Sequence, residues 1–202
     1  MRILPPTSEG IREAATLIRQ GDIVAYPTET VYGLAADPFS DAAVQRLFEV
    51  KSRDTANPVL LLVADADQLA AVVARVSPAA AACMRAFWPG PLSLLFPKSD
   101  RLSPVLTAGR DTVCVRQTPH AVARDLCLAV GTAITSSSAN RSGEPPARSL
   151  QELDLPGIAA GLDGGALPAR APSTVFDPET RAVLRQGAIA EADLAAVMGR
   201  VS

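Results

Sequence analysis

Short apolar runs that stop at proline, glycine or small polar residues alternate along most of this chain with stretches of helical period. Few architectures accept that alternation, because strands interleaved with helices fold as an α/β layer structure with helices packed on a sheet. DIVAYP, PVLLLVAD, LSLLFP, TVCVR, TAIT, STVFD and AVLRQG read as strands, the last two forming an antiparallel pair. Helices are predicted over 11–20, over the DAAVQRLFEV stretch capped by Ser40, from Asp67 to Val76, after Ser77 and Pro78, from His120 to Val130, and from Glu191 to Met198. TETVYGLAAD and SSSANRSGEPPAR, rich in polar residues, glycine or proline, read as loops leaving strands, and the Gly-rich passage near 157–170 as weakly structured.

The chain has 202 residues, of which 48% are hydrophobic and 20% charged, so one domain over 1–202 with a single core is expected. Cys83, Cys114 and Cys127 sit in apolar stretches without CxxC spacing, which favours core thiols over a disulfide or zinc framework. A reducing, cytoplasmic setting follows as an expectation. The N-terminus lacks a signal-peptide pattern, and no apolar run reaches the ~18 residues of a membrane span. A net charge of −2 and a pI near 5.4 give no global field toward nucleic acid or anionic membrane, so any anion site must be local.

Four polar clusters each follow an apolar strand or helix: PTET with YG, KSR with Asn57, SSSAN, and STV with RQG. Functional residues concentrate at such element ends. No GxGxxG or GxxxxGK[ST] is present, so a phosphate would need another cradle. SSSAN reads either as an ordinary serine-rich turn or as an anion loop offering hydroxyls and backbone N–H groups. Lys51, one of two lysines among 19 basic residues, is either a solvated charge or, with Arg53, a cation pair at a helix C-terminus. His120, following Pro119 at a helix start, reads as structural.

YPTETVYGLAAD (26–37), KSRDTANP (51–58), WPGPLSLLFP (88–97), TVCVR (112–116), SSSANRSGEPP (136–146) and STVFD with LRQG (173–187) resemble, in order and spacing, the YrdC-like family of L-threonylcarbamoyladenylate synthases. The resemblance implies a twisted mixed β-sheet with flanking helices around a large basic concave cavity. It also implies a nucleotidyltransferase reaction. Threonine and bicarbonate give a carbamate that attacks the α-phosphorus of ATP, releasing pyrophosphate and leaving L-threonylcarbamoyl-AMP for t6A modification of tRNA.

Carried over by motif, Thr30, Tyr32, Arg116, Ser136 and Ser173 would meet threonine, with Arg116 on its carboxylate. Lys51 and Arg53 match a KxR pair facing the triphosphate, joined by Ser138 and Asn140, with Asn57, Thr112, Pro146 and Arg185 also at the nucleotide. Lys51 and Arg53 would be the charge stabilisers. Mg2+ would arrive with ATP and no protein-ligated metal is implied; Asp37 and Glu29 are the nearest candidate bases, though the carbamate can form without one. Leu62 stands where many longer relatives have histidine, and SSSAN lacks the proline that commonly precedes SAN. The longer relatives' C-terminal domain is not expected beyond Ser202. The product would pass to downstream threonylcarbamoyl-transfer machinery. Rival readings are a double-stranded RNA-binding module of the same fold and a carbamoyl-transfer unit like that of hydrogenase-maturation enzymes.

Overall fold

The computed structural model describes residues 1–52, 58–141 and 143–200. Among these residues the expected mixed α/β architecture appears as two mixed sheets with six α-helices. The first sheet contains β1 (Arg2–Leu4), β2 (Ile23–Pro27), β3 (Tyr32–Ala35), β8 (Ser137–Ser138) and β9 (Ile158–Leu162), in the order β1-β9-β2-β3-β8. The second contains β4 (Leu61–Val63), β5 (Leu92–Pro97), β6 (Thr112–Gln117), β7 (Ile134–Thr135), β10 (Thr174–Asp177) and β11 (Ala182–Arg185), in the order β11-β10-β5-β6-β4-β7. As expected, β10 and β11 are antiparallel.

The helices are α1 (Ser8–Arg19), α2 (Asp41–Lys51), α3 (Ala66–Val72), α4 (Pro78–Phe87), α5 (Ala121–Val130) and α6 (Glu191–Met198). Their starts follow the cap chemistry. Thr7, Ser40, Asp65 and Ser77 each accept a backbone N–H of the first turn through a side-chain oxygen. Helix α3 ends at Val72, four residues short of the predicted Val76, because Val73 turns extended and bridges Lys98.

Two apolar clusters hold the layers. Ile11, Ala14, Ala15 and Ile18 of α1 pack with Ala123, Leu126, Cys127 and Val130 of α5 over Val24, Tyr26 and Leu62. The larger cluster joins Ile23, Ala25 and Leu34 to Leu92, Leu94, Val113 and Val115, with α2, α4 and α6 against it. Each fully buried leucine or isoleucine contributes roughly 1.5–3 kcal/mol. Leu62, in register with Arg116 across β4 and β6, is sealed in the first cluster rather than placed at a polar pocket edge.

Three elements depart from the sequence reading. TETVYGLAAD is not a plain loop, since Tyr32–Ala35 pairs antiparallel with β2 and every residue of that strand is buried. The passage near 157–170 is not weakly structured throughout, because Ile158–Leu162 runs parallel between β1 and β2. Part of SSSAN is strand too, Ser137 and Ser138 pairing with Leu34 and Gly33.

The chain passes from one sheet to the other between β7 and β8, and Thr135 fastens that seam. Its hydroxyl donates to Leu34 O at 3.0 Å and accepts from Ala36 N at 2.8 Å, while its carbonyl accepts from Tyr26 Oη at 3.2 Å. Thr135 is fully buried, so these groups have no water to fall back on. Thr135→Val, nearly equal in shape, strands one donor and one acceptor. It should lower unfolding stability by about 1–3 kcal/mol, read from urea denaturation; an unchanged midpoint would show that the hydroxyl does not tie the sheets.

Candidate functional site

Beyond the seam, one face of the second sheet opens into a cavity of about 580 Å³, within the usual range for small-molecule sites. Strand period explains which residues reach it. Along β6, Val113 and Val115 enter the apolar cluster, while Thr112, Cys114 and Arg116 line the cavity. Leu95 of β5, opposite Cys114 in register, and Val175 of β10 extend the same wall. Four residues of strand place Arg116 about 13 Å from Thr112, so the two mark different ends of the cavity.

The facing wall comes from the β2–β3 turn and from SSSAN. Thr28 builds the turn: its hydroxyl donates to Val31 O at 2.6 Å and accepts from the amides of Thr30 and Val31, each at 3.2 Å. Thr30 thereby enters the cavity wall with its hydroxyl 3.1 Å from that of Thr28. Tyr32 also lines the cavity, yet its hydroxyl is engaged elsewhere, donating to Gly165 O at 3.0 Å and accepting from Gly164 N at 2.9 Å. The hydroxyl thereby straps the segment after β9 against the turn. Burial raises its phenol pKa, so the group is neutral at physiological pH.

Ser136, Ser138 and Pro146 line the cavity as well. The amides of the serine loop face inward: Ser136 N donates to Leu60 O, Ala139 N to Tyr32 O and Asn140 N to Ser138 O. Ser136 and Ser138 thus line the cavity while these three amides are already bonded within the protein.

Lys51 is 2% exposed, and its ammonium donates to Ser138 O, to Asn140 O at 2.9 Å and to Asn140 Oδ1 at 3.3 Å. It stands behind the Ser138 wall and fixes the loop. Asn140 Nδ2 donates to Arg141 O and Glu144 O, which ties the same loop to its own continuation. Arg53 and Asn57 lie outside the described residues.

On the opposite side, Arg185 Nη2 donates to Ser173 O at 2.9 Å and to Ser173 Oγ at 3.0 Å, and Ser173 Oγ is 2.9 Å from Ser93 Oγ. This contact depends on Gly187: a Cβ there would lie 2.3 Å from Pro172 O, so only glycine lets RQG close on PSTV. Arg110 and Arg170, which the sequence reading did not single out, also line the cavity. Their signal was faint, since both sit in irregular segments among many arginines.

Arg116 is 4% exposed and ion-paired through Nη1 with Oε1 of Glu29. Glu29 Oε2 accepts from Thr118 Oγ1 at 2.8 Å. Burial pulls the Arg116 pKa down to about 10, the charge of Arg185 adding to the effect against the opposing influence of Tyr26; the side chain remains a cation at neutral pH. The two candidate bases are committed elsewhere, Glu29 to this pair and Asp37 to a turn in which Oδ1 accepts Phe39 N at 2.9 Å.

Cys83 and Cys127 are buried as expected. Cys114 is not a core thiol: it is partly exposed because β6 turns it toward the cavity, and burial still pushes its pKa up to about 12. His120 caps α5 through backbone only, and burial lowers its pKa, leaving it neutral. Among the described residues no group of three or more His, Cys, Asp or Glu side chains could hold a metal, and no helix is long and apolar enough to cross a membrane.

Thr30, Tyr32, Thr112, Arg116, Ser136, Ser138, Pro146, Ser173 and Arg185 thus meet around one cavity from six separate stretches of chain. The Sua5/YciO/YrdC family model, described as telomere recombination, matches residues 16–187. A threonylcarbamoyl-AMP synthase of Thiobacillus denitrificans is 41% identical over 170 residues, covering 83% of this chain and 90% of the relative. One from Chromohalobacter salexigens is 40% identical over 182 residues, covering 89% and 98%. A crystal structure of P. abyssi Sua5 complexed with L-threonine superposes with a TM-score of 0.93 at 35% identity, covering 100% of this chain and 62% of that one. By the span of the family model and the reach of these relatives, this chain belongs to the Sua5/YciO/YrdC family.

Proposed function

We propose that this protein is an L-threonylcarbamoyladenylate synthase, a cytoplasmic nucleotidyltransferase that uses ATP, L-threonine and bicarbonate. The observation that carries the reading is the meeting of Arg116, Thr30, Ser136, Ser138, Ser173 and Arg185 at one cavity, in a chain whose relatives are threonylcarbamoyl-AMP synthases and whose fold matches a threonine-bound Sua5.

The ends of the cavity divide the work. Arg116, a fixed buried cation, takes the amino acid carboxylate, and Thr30, Ser136 and Ser173 surround the amino acid. Thr112, Ser138, Pro146 and Arg185 take the nucleotide, with Asn57 and Asn140 as further nucleotide residues. Lys51 supports the phosphate wall by holding the carbonyls of Ser138 and Asn140, and with Arg53 supplies positive charge there. Mg2+ enters as part of the ATP substrate.

In the reaction the threonine nitrogen adds to the bicarbonate carbon with loss of water, giving a carbamate. A carbamate oxygen then forms a bond to the α-phosphorus as the bond from that phosphorus to the bridging β-oxygen breaks, and pyrophosphate leaves with the electron pair. The protein has little covalent work in such a displacement; alignment and neutralisation of phosphate charge lower the barrier. The product is proposed to serve t6A formation in tRNA through a separate threonylcarbamoyl-transfer machinery.

Pyrophosphate release from ATP should require both L-threonine and bicarbonate; release that ignores either would contradict the proposal. Arg116→Ala should raise the threonine KM by about 10–100-fold, the value of a charge-assisted contact, while the ATP KM stays nearly constant. Because threonine exceeds serine by one methyl group, discrimination in kcat/KM should fall in the range of about 10–200-fold, measured by competing the two amino acids.

A further inference from the structure

Strand β5 buries a serine between apolar neighbours. Leu92 and Leu94 enter the larger cluster, while Ser93 lies on the opposite face of the strand, the face that Leu95 presents to the cavity, and is itself completely buried. Parallel β10 runs alongside, and Ser173, the residue before it, holds its hydroxyl 2.9 Å from that of Ser93. Ser173 is 7% exposed and lines the cavity. Arg185 clamps it from the other side, with Nε and Nη2 donating to Ser173 O and Nη2 also donating to Ser173 Oγ at 3.0 Å.

Proton stoichiometry fixes how these three groups are arranged. A hydroxyl has one proton to donate and two lone pairs to accept with, whereas a guanidinium only donates. Arg185 therefore fills one lone pair of Ser173 Oγ. Between the two serines either oxygen could be the donor, and Ser173 is the only hydrogen-bond partner of the Ser93 hydroxyl among the described residues. Were Ser173 the donor, the Ser93 proton would lie in a solvent-free interior with nothing to accept it, an arrangement that buried polar groups avoid. With Ser93 as donor, both lone pairs of Ser173 are filled from within the protein. Its own proton then serves whatever occupies the cavity, and no buried donor is left unmet.

We infer that Ser93, which does not line the cavity, is a positioning residue: by donating to Ser173 it makes the Ser173 hydroxyl an obligate donor, so this point of the cavity receives an oxygen acceptor of the amino acid and refuses its ammonium. This deepens the threonine-site reading above and rests on it. A carboxylate or hydroxyl oxygen can take the Ser173 proton, while an ammonium, which has only protons to offer, would meet that proton and the adjacent Arg185 charge.

The test is calorimetric titration of L-threonine into the full-length protein and its variants, with melting temperatures recorded. Ser93→Ala should weaken threonine binding about 3–10-fold, the value of one hydrogen bond. In a Ser173→Ala background the same change should alter threonine affinity by less than about twofold and should raise the melting temperature, because it removes a buried hydroxyl that has lost its partner. The deaminated analogue 2,3-dihydroxybutanoate, of matching stereochemistry, should be weakened by Ser93→Ala by the same factor as threonine. Equal losses in both backgrounds would mark a packing role only; that result, or an unchanged affinity in Ser93→Ala, overturns the inference and leaves the functional reading in place. A loss seen with threonine and absent with the analogue would put the ammonium at Ser173 and overturns it as well. Ser93→Cys, close in size and a weak donor, carries the same comparisons should the alanine variant not fold. Failure of the intact protein to bind threonine removes the functional reading and the inference together.

Discussion

A two-residue strand, β7, decides where this protein can hold a ligand. Its Thr135 hydroxyl bridges Leu34 and Ala36 of the other sheet, and the next residue, Ser136, is bonded through its amide to Leu60 at 2.7 Å. The chain must change sheets within that step, so Ser136, Ser137 and Ser138 are drawn to the line where the two sheets diverge. Small hydroxyl side chains fit there because the backbones are close and their amides are largely taken up in joining the layers. The opening beyond this line is the cavity, and the row Thr112, Cys114 and Arg116 forms one wall because β6 has its other face buried in the core. Packing and site thus share one cause.

Charge follows the same plan. Lys51 and Arg116 are both almost completely buried, a cost tolerated only with good partners. Lys51 finds carbonyls of the serine loop, and Arg116 finds Glu29. In each case the cation secures a wall of the cavity, while Arg110 and Arg170 bring exposed guanidinium groups to its lining. A chain with an acidic overall balance can still offer an anion a locally positive surface.

Much of this was legible in the sequence. Helix starts followed from Ser40, Ser77 and Pro78, and the buried strands from apolar runs. The ordered motifs led to nine residues that do share a cavity. What stayed hidden had physical reasons. Ile158–Leu162 reads IAAGL, too small and glycine-bearing for a strand by propensity, yet a Cβ at Gly161 would lie 2.8 Å from Leu150 Cδ2, so its smallness is imposed by what packs on it. Tyr32–Ala35 was masked by the polar turn before it, whose Thr28 bonds are local and invisible to periodicity. Arg110 and Arg170 lacked any motif, and the partnership of Glu29 with Arg116, 87 positions apart, only tertiary structure could reveal.

The claim on which the functional account turns is that one cavity holds an amino acid at its Arg116 end and a nucleotide at its Thr112 and Ser138 end. A crystal structure of the protein soaked with L-threonine and a non-hydrolysable ATP analogue tests this most directly. The threonine carboxylate should lie against Arg116 and the α-phosphate between the amino acid and Ser138. Threonine bound away from Arg116, or a nucleotide seated outside the cavity, would contradict it.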